Sequence, residues 1–184
     1  MPRIAALSTE AAPEASRPAL NALQKKNGRI PNLFRVFAHS PAALNGYLGL
    51  SDALAGGMLD AKTQDRIALA VAELNGCGYC LSAHTYLGKH VSKLDDAEIM
   101  ANRQGASHDQ KADAAVKFAV TIVRERGHVS DADVNAVRDA GFNDAAIVEI
   151  VLQVALNTLT NYVNEVAKTD VDFPVVVQPV SSIS

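Results

Sequence analysis

Apolar side chains recur every three or four residues along most of the chain, a spacing that predicts helices rather than paired strands. In the segment 62–74, Ile67, Ala70, Val71 and Leu74 fall on one stripe, as expected of a helix that faces a core. The pattern predicts eight helices: 20–27, 41–55, 62–74, a helix from 77 or 78 through 87 with helical character toward 91, a short one between 95 and 105, 110–126, 130–139 and 145–168. We therefore expect an all-α fold.

Capping residues mark the ends of several of these helices. Ser40 followed by Pro41 is typical of a helix start, and Ser130 with Asp133 has capping character. The spacing of Asp95 and Glu98 resembles a capping box. Glycines stop the helices, so Gly28, Gly56–Gly57, Gly105, Gly127 and Gly141 are expected at helix ends or turns.

The length of the chain suits a single domain with a sizeable core. It has 184 residues and no linker or internal repeat, so we expect one helical-bundle domain over 1–184. Residues 1–18 form an N-terminal arm in this interpretation. The segment 171–184 contains Pro174 and Pro179 around three valines, which favours an extended tail.

Composition and charge exclude several classes of partner. The formal net charge is −3, which provides no basic field for binding nucleic acid. We expect no membrane span, because the apolar runs are interrupted by Asp, Glu, Asn or Gln. The segment 1–18 lacks the apolar centre of a secretory signal, so the cytoplasm is the expected compartment.

The two cysteines of the chain lie three residues apart in the segment Glu73-Leu-Asn-Gly-Cys77-Gly-Tyr-Cys80-Leu-Ser-Ala-His84. In a helix at about 100° per residue, Cys77, Cys80 and His84 share one face. His84 lies one turn from Cys80 but two turns, about 10 Å, from Cys77. This spacing indicates a local dithiol with a histidine beside its second sulfur.

The register of His84 favours Cys80 as the nucleophile. A thiol reacts as its thiolate, and a nearby imidazolium together with a helix N-terminus lowers the pKa of a cysteine. Cys77 is then placed to attack an oxidised Cys80 and close a disulfide. The helix dipole alone would favour Cys77, so the assignment depends on the contact with His84.

Two acidic residues on the preceding helix are candidates for orienting His84 or relaying a proton. Glu73 comes four residues before Cys77, and Asp65 lies about 12 Å from Glu73 along the helix axis. A turn at Gly76 can bring either carboxylate to the histidine, so the spacing leaves both open.

This segment resembles the active-site motif of the AhpD-like alkylhydroperoxidases within the carboxymuconolactone decarboxylase family. The resemblance runs roughly over 31–174 and includes the segment 157–162. It implies a helical homo-oligomer, a trimer or a hexamer, in which Cys80 attacks peroxide, Cys77 resolves it and His84 joins a proton relay. Two positions depart from the family pattern: Asp65 stands where the relay glutamate is found, and Tyr79 replaces a histidine.

The resulting hypothesis is a peroxidase that reduces organic hydroperoxides and is reset by a dithiol protein or a small thiol. No flavin, haem or nicotinamide motif occurs, so we expect neither a cofactor nor a metal in the reaction. A cofactor-independent lactone decarboxylase or isomerase using His84 and a carboxylate is the alternative enzyme. A non-catalytic oligomer that responds to oxidation is the alternative outside catalysis.

Structural interpretations of the same residues remain open. The cysteines can be inert core residues, or can bind zinc together with His84 and His90. The other histidines are expected at surface or capping positions: His39, His90, His108 and His128. The asparagines of the last helix are expected to satisfy backbone groups or line a subunit interface, and not to act in catalysis: Asn157, Asn161 and Asn164.

Overall fold

The computed structural model describes residues 1–177, and every regular element in that range is helical. A single 3₁₀ turn, Glu14–Ser16, precedes the first α-helix. The α-helices are α1 Arg17–Asn27, α2 Asn32–Phe37, α3 Pro41–Ala55, α4 Ala61–Leu74, α5 Gly78–His90, α6 Asp96–Arg103, α7 Gln110–Arg124, α8 Asp131–Asp139 and α9 Asp144–Ala167. The prediction of an all-α fold is confirmed.

Helix starts agree with the capping signals in the sequence. The Ser40 side chain accepts the N–H of Ala43 and begins α3, and Ser130 with Asp133 forms a complete capping box at α8. Asp95 also caps α6, but Glu98 does not complete the expected box. The Glu98 carboxylate turns inward instead, where it accepts hydrogen bonds from the side chains of Arg66, Asn102 and Ser107 and from the backbone of His108.

Three features differ from the predicted boundaries. Helix α1 begins at Arg17, three residues early, because Pro18 fits the first turn of a helix. The apolar stretch after Pro31 forms the short helix α2. Helix α7 ends at Arg124, two residues early, because Arg126 and Gly127 both adopt positive φ. Of the predicted tail, 171–177 has no regular structure, and 178–184 lies outside the described residues.

Helix α4 lies at the centre of the fold and packs against α5, α6, α7 and α9. Its six residues 67–72 are all almost completely buried, as expected for a helix that is apolar on every side. Leu69 and Ala72 belong to one apolar cluster, which also contains both cysteines, whereas Ile67 and Val71 belong to a second. The helix that precedes the dithiol is therefore fixed from all directions.

Helix α9 is long and apolar enough to cross a membrane by length and composition alone, with a mean hydropathy of 1.3 in its most apolar window. No such segment was expected from the sequence. Half of that window is buried inside the protein, where α9 packs against α3, α4, α5 and α7. This burial is typical of a core helix.

Candidate functional site

The dithiol begins at the turn between α4 and α5. Gly76 has φ of +66°, a left-handed conformation that favours glycine, and reverses the chain after α4. Cys77 is the N-cap of α5, and its Sγ accepts the backbone N–H of Cys80 at 3.3 Å. Cys80 therefore sits in the first turn of α5, one turn above Cys77 on the same helix face.

The two thiols have opposite electrostatic environments. Both are buried, with 0% of Cys77 and 3% of Cys80 exposed. Hydrogen bonding from Cys77 lowers the pKa of Cys80 to about 6, against burial, with help from His84 and the amides of Asn164 and Asn161. The same contact and burial raise the pKa of Cys77. Cys80 is thus the sulfur that exists as a thiolate near neutral pH.

His84, one turn beyond Cys80 on α5, lies opposite Asp65 of α4. His84 Nδ1 lies 3.5 Å from Asp65 Oδ1, a distance within ion-pair range but long for a hydrogen bond. Burial acts to lower the pKa of His84, but Asp65 and Cys80 outweigh it and the pKa is raised. Ser92 donates a hydrogen bond to the other oxygen of Asp65 and so fixes the carboxylate. Ser92 was not among the site residues expected from the sequence.

The structure separates the two acidic candidates. Glu73, with 4% of its side chain exposed, pairs with Arg103 of α6 at 2.8 Å. Asp65, three turns from the dithiol along the chain, is the carboxylate that reaches His84 because α4 and α5 pack side by side. The geometry therefore favours Asp65 for the relay position and gives Glu73 a buried ion pair between α4 and α6.

Two asparagines of α9 meet the dithiol, although the sequence analysis gave them no part in catalysis. Asn164 Nδ2 lies 3.2 Å from Cys80 Sγ, and the Asn161 amide also lowers the pKa of Cys80. Both side chains are almost completely buried. Their spacing of one turn on an apolar helix was visible in the sequence, but the partner lies 84 residues away.

Tyr79, which replaces the histidine that the resemblance implies, makes its hydrogen bonds with α2 and the C-terminal segment. Its hydroxyl donates to Asp172 Oδ1 at 2.8 Å and accepts the backbone N–H of Leu33 at 3.1 Å. The ring also meets Phe173 edge-on. Tyr79 therefore fastens the C-terminal segment and the start of α2 to α5.

A cavity of about 140 Å³ adjoins the histidine, between α3, α4, α5 and α9. His84 and Asp65 both line it, and the remaining lining residues are Tyr47, Ser51, Ala55, Gln64, Ala68, Gln153, Leu156, Asn157 and Thr160. A larger cavity of about 220 Å³ lies near the N-terminal ends of α4, α7 and α9 and contains none of the predicted site residues. The smaller cavity is the one connected to the site chemistry.

The remaining histidines are not part of this cluster. His39, His90, His108 and His128 are exposed, and the His90 ring contacts the Tyr86 ring at a tilt of 45°. Over 1–177, no group of three or more His, Cys, Asp and Glu side chains is arranged to hold a metal ion.

Part of the chain matches the model of a known protein family. Residues 41–121, from the start of α3 to late in α7, match the model of the carboxymuconolactone decarboxylase family. This segment contains both cysteines, His84 and both acidic candidates. No curated protein matches the chain.

Solved structures match over most of the chain. An alkylhydroperoxidase AhpD core protein from Ralstonia eutropha JMP134, described as peroxidase-related, is 26% identical with a TM-score of 0.83 over 93% of this chain and 92% of that one. A peroxidase-related protein from Silicibacter sp. TM1040 is 24% identical with a TM-score of 0.78 over 91% of each chain.

The debrominase Bmp8 shares the fold at lower identity. In complex with 2,3,4-tribromopyrrole it is 17% identical, with a TM-score of 0.76 over 92% of this chain and 91% of that one. The fold thus occurs in proteins of more than one described activity. The chain thus has the fold of the AhpD core protein, and its dithiol segment lies within the part that matches the carboxymuconolactone decarboxylase family.

Proposed function

We propose that the protein is a thiol-dependent alkylhydroperoxidase that reduces organic hydroperoxides through Cys77 and Cys80. The observation that carries the proposal is the environment of Cys80, whose pKa is lowered to about 6 beside a histidine whose pKa is raised. A thiolate and an imidazolium then coexist near neutral pH. This pair supplies the nucleophile and the proton that peroxide reduction needs.

In the first step, the Cys80 thiolate attacks the terminal oxygen of the hydroperoxide. The S–O bond forms as the O–O bond breaks, so the sulfur loses two electrons and becomes sulfenic acid. The departing alkoxide takes a proton from His84 and leaves as the alcohol. Asp65 holds the imidazole and favours its protonated form, which makes it a positioning residue.

In the second step, Cys77 resolves the sulfenic acid. Its sulfur attacks Cys80, the S–S bond forms and the S–O bond breaks, and the hydroxyl leaves as water with the proton that Cys77 gives up. Cys77 is the N-cap of α5 and already contacts the backbone of Cys80. The raised pKa of Cys77 keeps it protonated until Cys80 has reacted.

The cycle closes when an external dithiol, a reductant protein or a small thiol, returns two electrons to the disulfide. In this proposal the alkyl group of the substrate occupies the cavity beside His84. The volume of this cavity, about 140 Å³, favours small organic hydroperoxides. We place this activity in the cytoplasm, where thiols are kept reduced.

A homo-oligomer, a trimer or a hexamer, is also part of the proposal. Six apolar side chains of α9 are exposed along one face of the helix: Val148, Val151, Leu152, Leu159, Tyr162 and Val166. A contiguous apolar patch of this kind is typical of a protein–protein contact.

Thiol titration before and after one equivalent of tert-butyl hydroperoxide tests the proposal. We expect two thiols to be lost, with mass spectrometry locating one bond between Cys77 and Cys80. If both thiols stay reduced, the peroxidase proposal is wrong. Serum albumin, which carries a single reactive thiol, serves as the control for nonspecific oxidation in the same buffer.

One observation favours a second candidate, a cofactor-independent lyase or isomerase acting on a lactone. His84 and Asp65 line the cavity, whereas neither cysteine is among its lining residues. That arrangement suits acid–base chemistry on a bound molecule. A variant with both cysteines replaced by serine that still converts a lactone would support this candidate.

A further inference from the structure

Two asparagine amides near Cys80 are buried, and each has one polar atom without a hydrogen-bond partner within residues 1–177. Asn161 is 0% exposed and Asn164 is 2% exposed. Among the residues that the structure describes, Asn161 Nδ2 and Asn164 Oδ1 have no hydrogen-bond partner. Buried polar atoms are nearly always paired, and one that is not calls for an explanation such as a ligand.

The other ends of both amides are held in place. Asn161 Oδ1 accepts a hydrogen bond from Asn75 Nδ2 at 2.8 Å, in the turn that leads to the dithiol. Asn164 Nδ2 donates to Cys80 Sγ at 3.2 Å. One unpaired atom is the donor of Asn161, which lies one turn before Asn164 on the same face of α9. The other is the acceptor of Asn164, on the amide that touches the sulfur.

A hydroperoxide group matches this pair of atoms. Its terminal oxygen carries one hydrogen to donate and lone pairs that accept. Water or an alcohol also offers both functions, but only a peroxide offers them on an atom that the thiolate can attack. The juxtaposition of a free donor, a free acceptor and a thiolate therefore fits the terminal oxygen of a hydroperoxide.

We propose that Asn161 and Asn164 bind the terminal oxygen of the hydroperoxide and hold it against Cys80. This inference rests on the proposed peroxidase function and adds its substrate-binding residues. Asn161 Nδ2 donates to the terminal oxygen, and Asn164 Oδ1 accepts its hydrogen. Asn164 Nδ2 meanwhile holds the sulfur, so that one side chain orients both reacting atoms.

The hydrogen bonds from Asn161 and Asn164 to this oxygen persist as the sulfenic acid forms. The terminal oxygen moves from the alkoxide to sulfur and keeps its hydrogen, and the alkoxide receives its proton from His84. Asn161 then donates to the sulfenic oxygen and Asn164 accepts from its hydroxyl. Hydrogen bonds placed where charge redistributes accelerate such steps by about a hundredfold or more.

The test compares two electrophiles on Asn161→Leu. Cys80 is alkylated with iodoacetamide, which lacks a peroxide group, and is oxidised by tert-butyl hydroperoxide in a single turnover. Both rates are measured at a pH where the thiolate is fully formed in each variant. We expect oxidation to slow at least tenfold more than alkylation. Asn161→Ser, a smaller change that keeps a donor, gives a second measurement if the leucine variant does not fold, and we expect it to slow oxidation less than leucine does.

Asn102→Leu provides the matched control, because Asn102 is equally buried but lies on α6 among different partners. We expect it to leave the ratio of the two rates unchanged. An equal loss of both rates in the Asn161 variants would overturn the inference while leaving the peroxidase function standing. A wild-type protein that is alkylated but not oxidised would overturn the peroxidase function and this inference together.

Discussion

Asp65 Oδ1 lies 3.5 Å from His84 Nδ1 and joins the central helix α4 to the helix of the dithiol. The carboxylate raises the pKa of His84 against the effect of burial. The raised pKa favours the protonated form of His84, which in the proposed reaction delivers its proton to the leaving group. In the proposed reaction this pair determines whether the alkoxide leaves as an alcohol.

Replacing Asp65 with asparagine is expected to lower the pKa of His84 and to slow oxidation of Cys80 by about a hundredfold, the typical contribution of a general acid. NMR titration of His84 and single-turnover oxidation by tert-butyl hydroperoxide check the two effects. Asp65→Glu restores a carboxylate and should recover part of both. An unchanged pKa of His84 in Asp65→Asn would contradict the role of Asp65.

Glu73→Gln should behave differently, because Glu73 pairs with Arg103 rather than with His84. Breaking a buried ion pair leaves an uncompensated charge, so we expect a loss of about 3–5 kcal/mol in the free energy of unfolding. Urea denaturation measures this loss. The pKa of His84 should not move, and a shift as large as that of Asp65→Asn would show that the relay uses Glu73 instead.

The pH dependence of Cys80 follows from its lowered pKa. Alkylation by iodoacetamide should rise with pH, with a midpoint near 6, and reach a plateau above it, because only the thiolate reacts. Cys77→Ala removes the hydrogen bond that contributes most to the shift, so its midpoint should lie higher. Peptide mapping of Cys80 at each pH measures both profiles. A wild-type midpoint at the ordinary thiol value would contradict the account.

The loss of folding stability at acid pH should depend on Glu98. Burial acts to raise its pKa, but hydrogen bonds from Ser107, Asn102, His108 and Arg66 outweigh it and lower the pKa to about 2. A group with a lowered pKa stabilises the fold fully above its ordinary pKa and loses that contribution as pH falls. Urea midpoints should therefore decrease from about pH 4.5 toward 2. Glu98→Gln should be less stable at neutral pH and show a weaker decrease.

The exposed face of α9 provides a test of assembly. Tyr162→Asp with Val166→Asp places two charges on this face and should shift the protein to a smaller species in analytical ultracentrifugation. Val91→Asp, an exposed valine at the end of α5, is the control and should leave the mass unchanged. A wild-type protein that sediments as a monomer would contradict the oligomer.

The fold could be predicted from the sequence because its signals are local. Ser40, Pro41 and Ser130 mark helix starts by their own side chains or ring geometry, and the register of Cys80 and His84 lies within one helix. The choice between Asp65 and Glu73 was not local, since it depends on how α4 packs against α5. Local periodicity leaves such interhelical contacts open.

Asn164 and Ser92 show the same limit more strongly. Asn164 reaches Cys80 across 84 residues, and Ser92 reaches Asp65 across 27. Asn164 was visible as a polar residue on an apolar helix, but nothing in the sequence identified Cys80 as its partner. Ser92 is of a residue type common at structural positions, so nothing in the sequence distinguished it. Glu98 was noticed in the sequence, but for a different role. Its spacing from Asp95 predicted a capping box at the start of α6, whereas its side chain joins a buried hydrogen-bond network.

Turnover of tert-butyl hydroperoxide with dithiothreitol as the electron donor tests the central claim most directly. The wild-type protein should consume many equivalents of peroxide, and Cys80→Ser should consume none above the rate without protein. Cys77→Ser should still accept the first oxidation, seen as a sulfenic acid on Cys80. Equal peroxide consumption by the wild-type protein and Cys80→Ser would contradict the assignment of Cys80 as the attacking thiol.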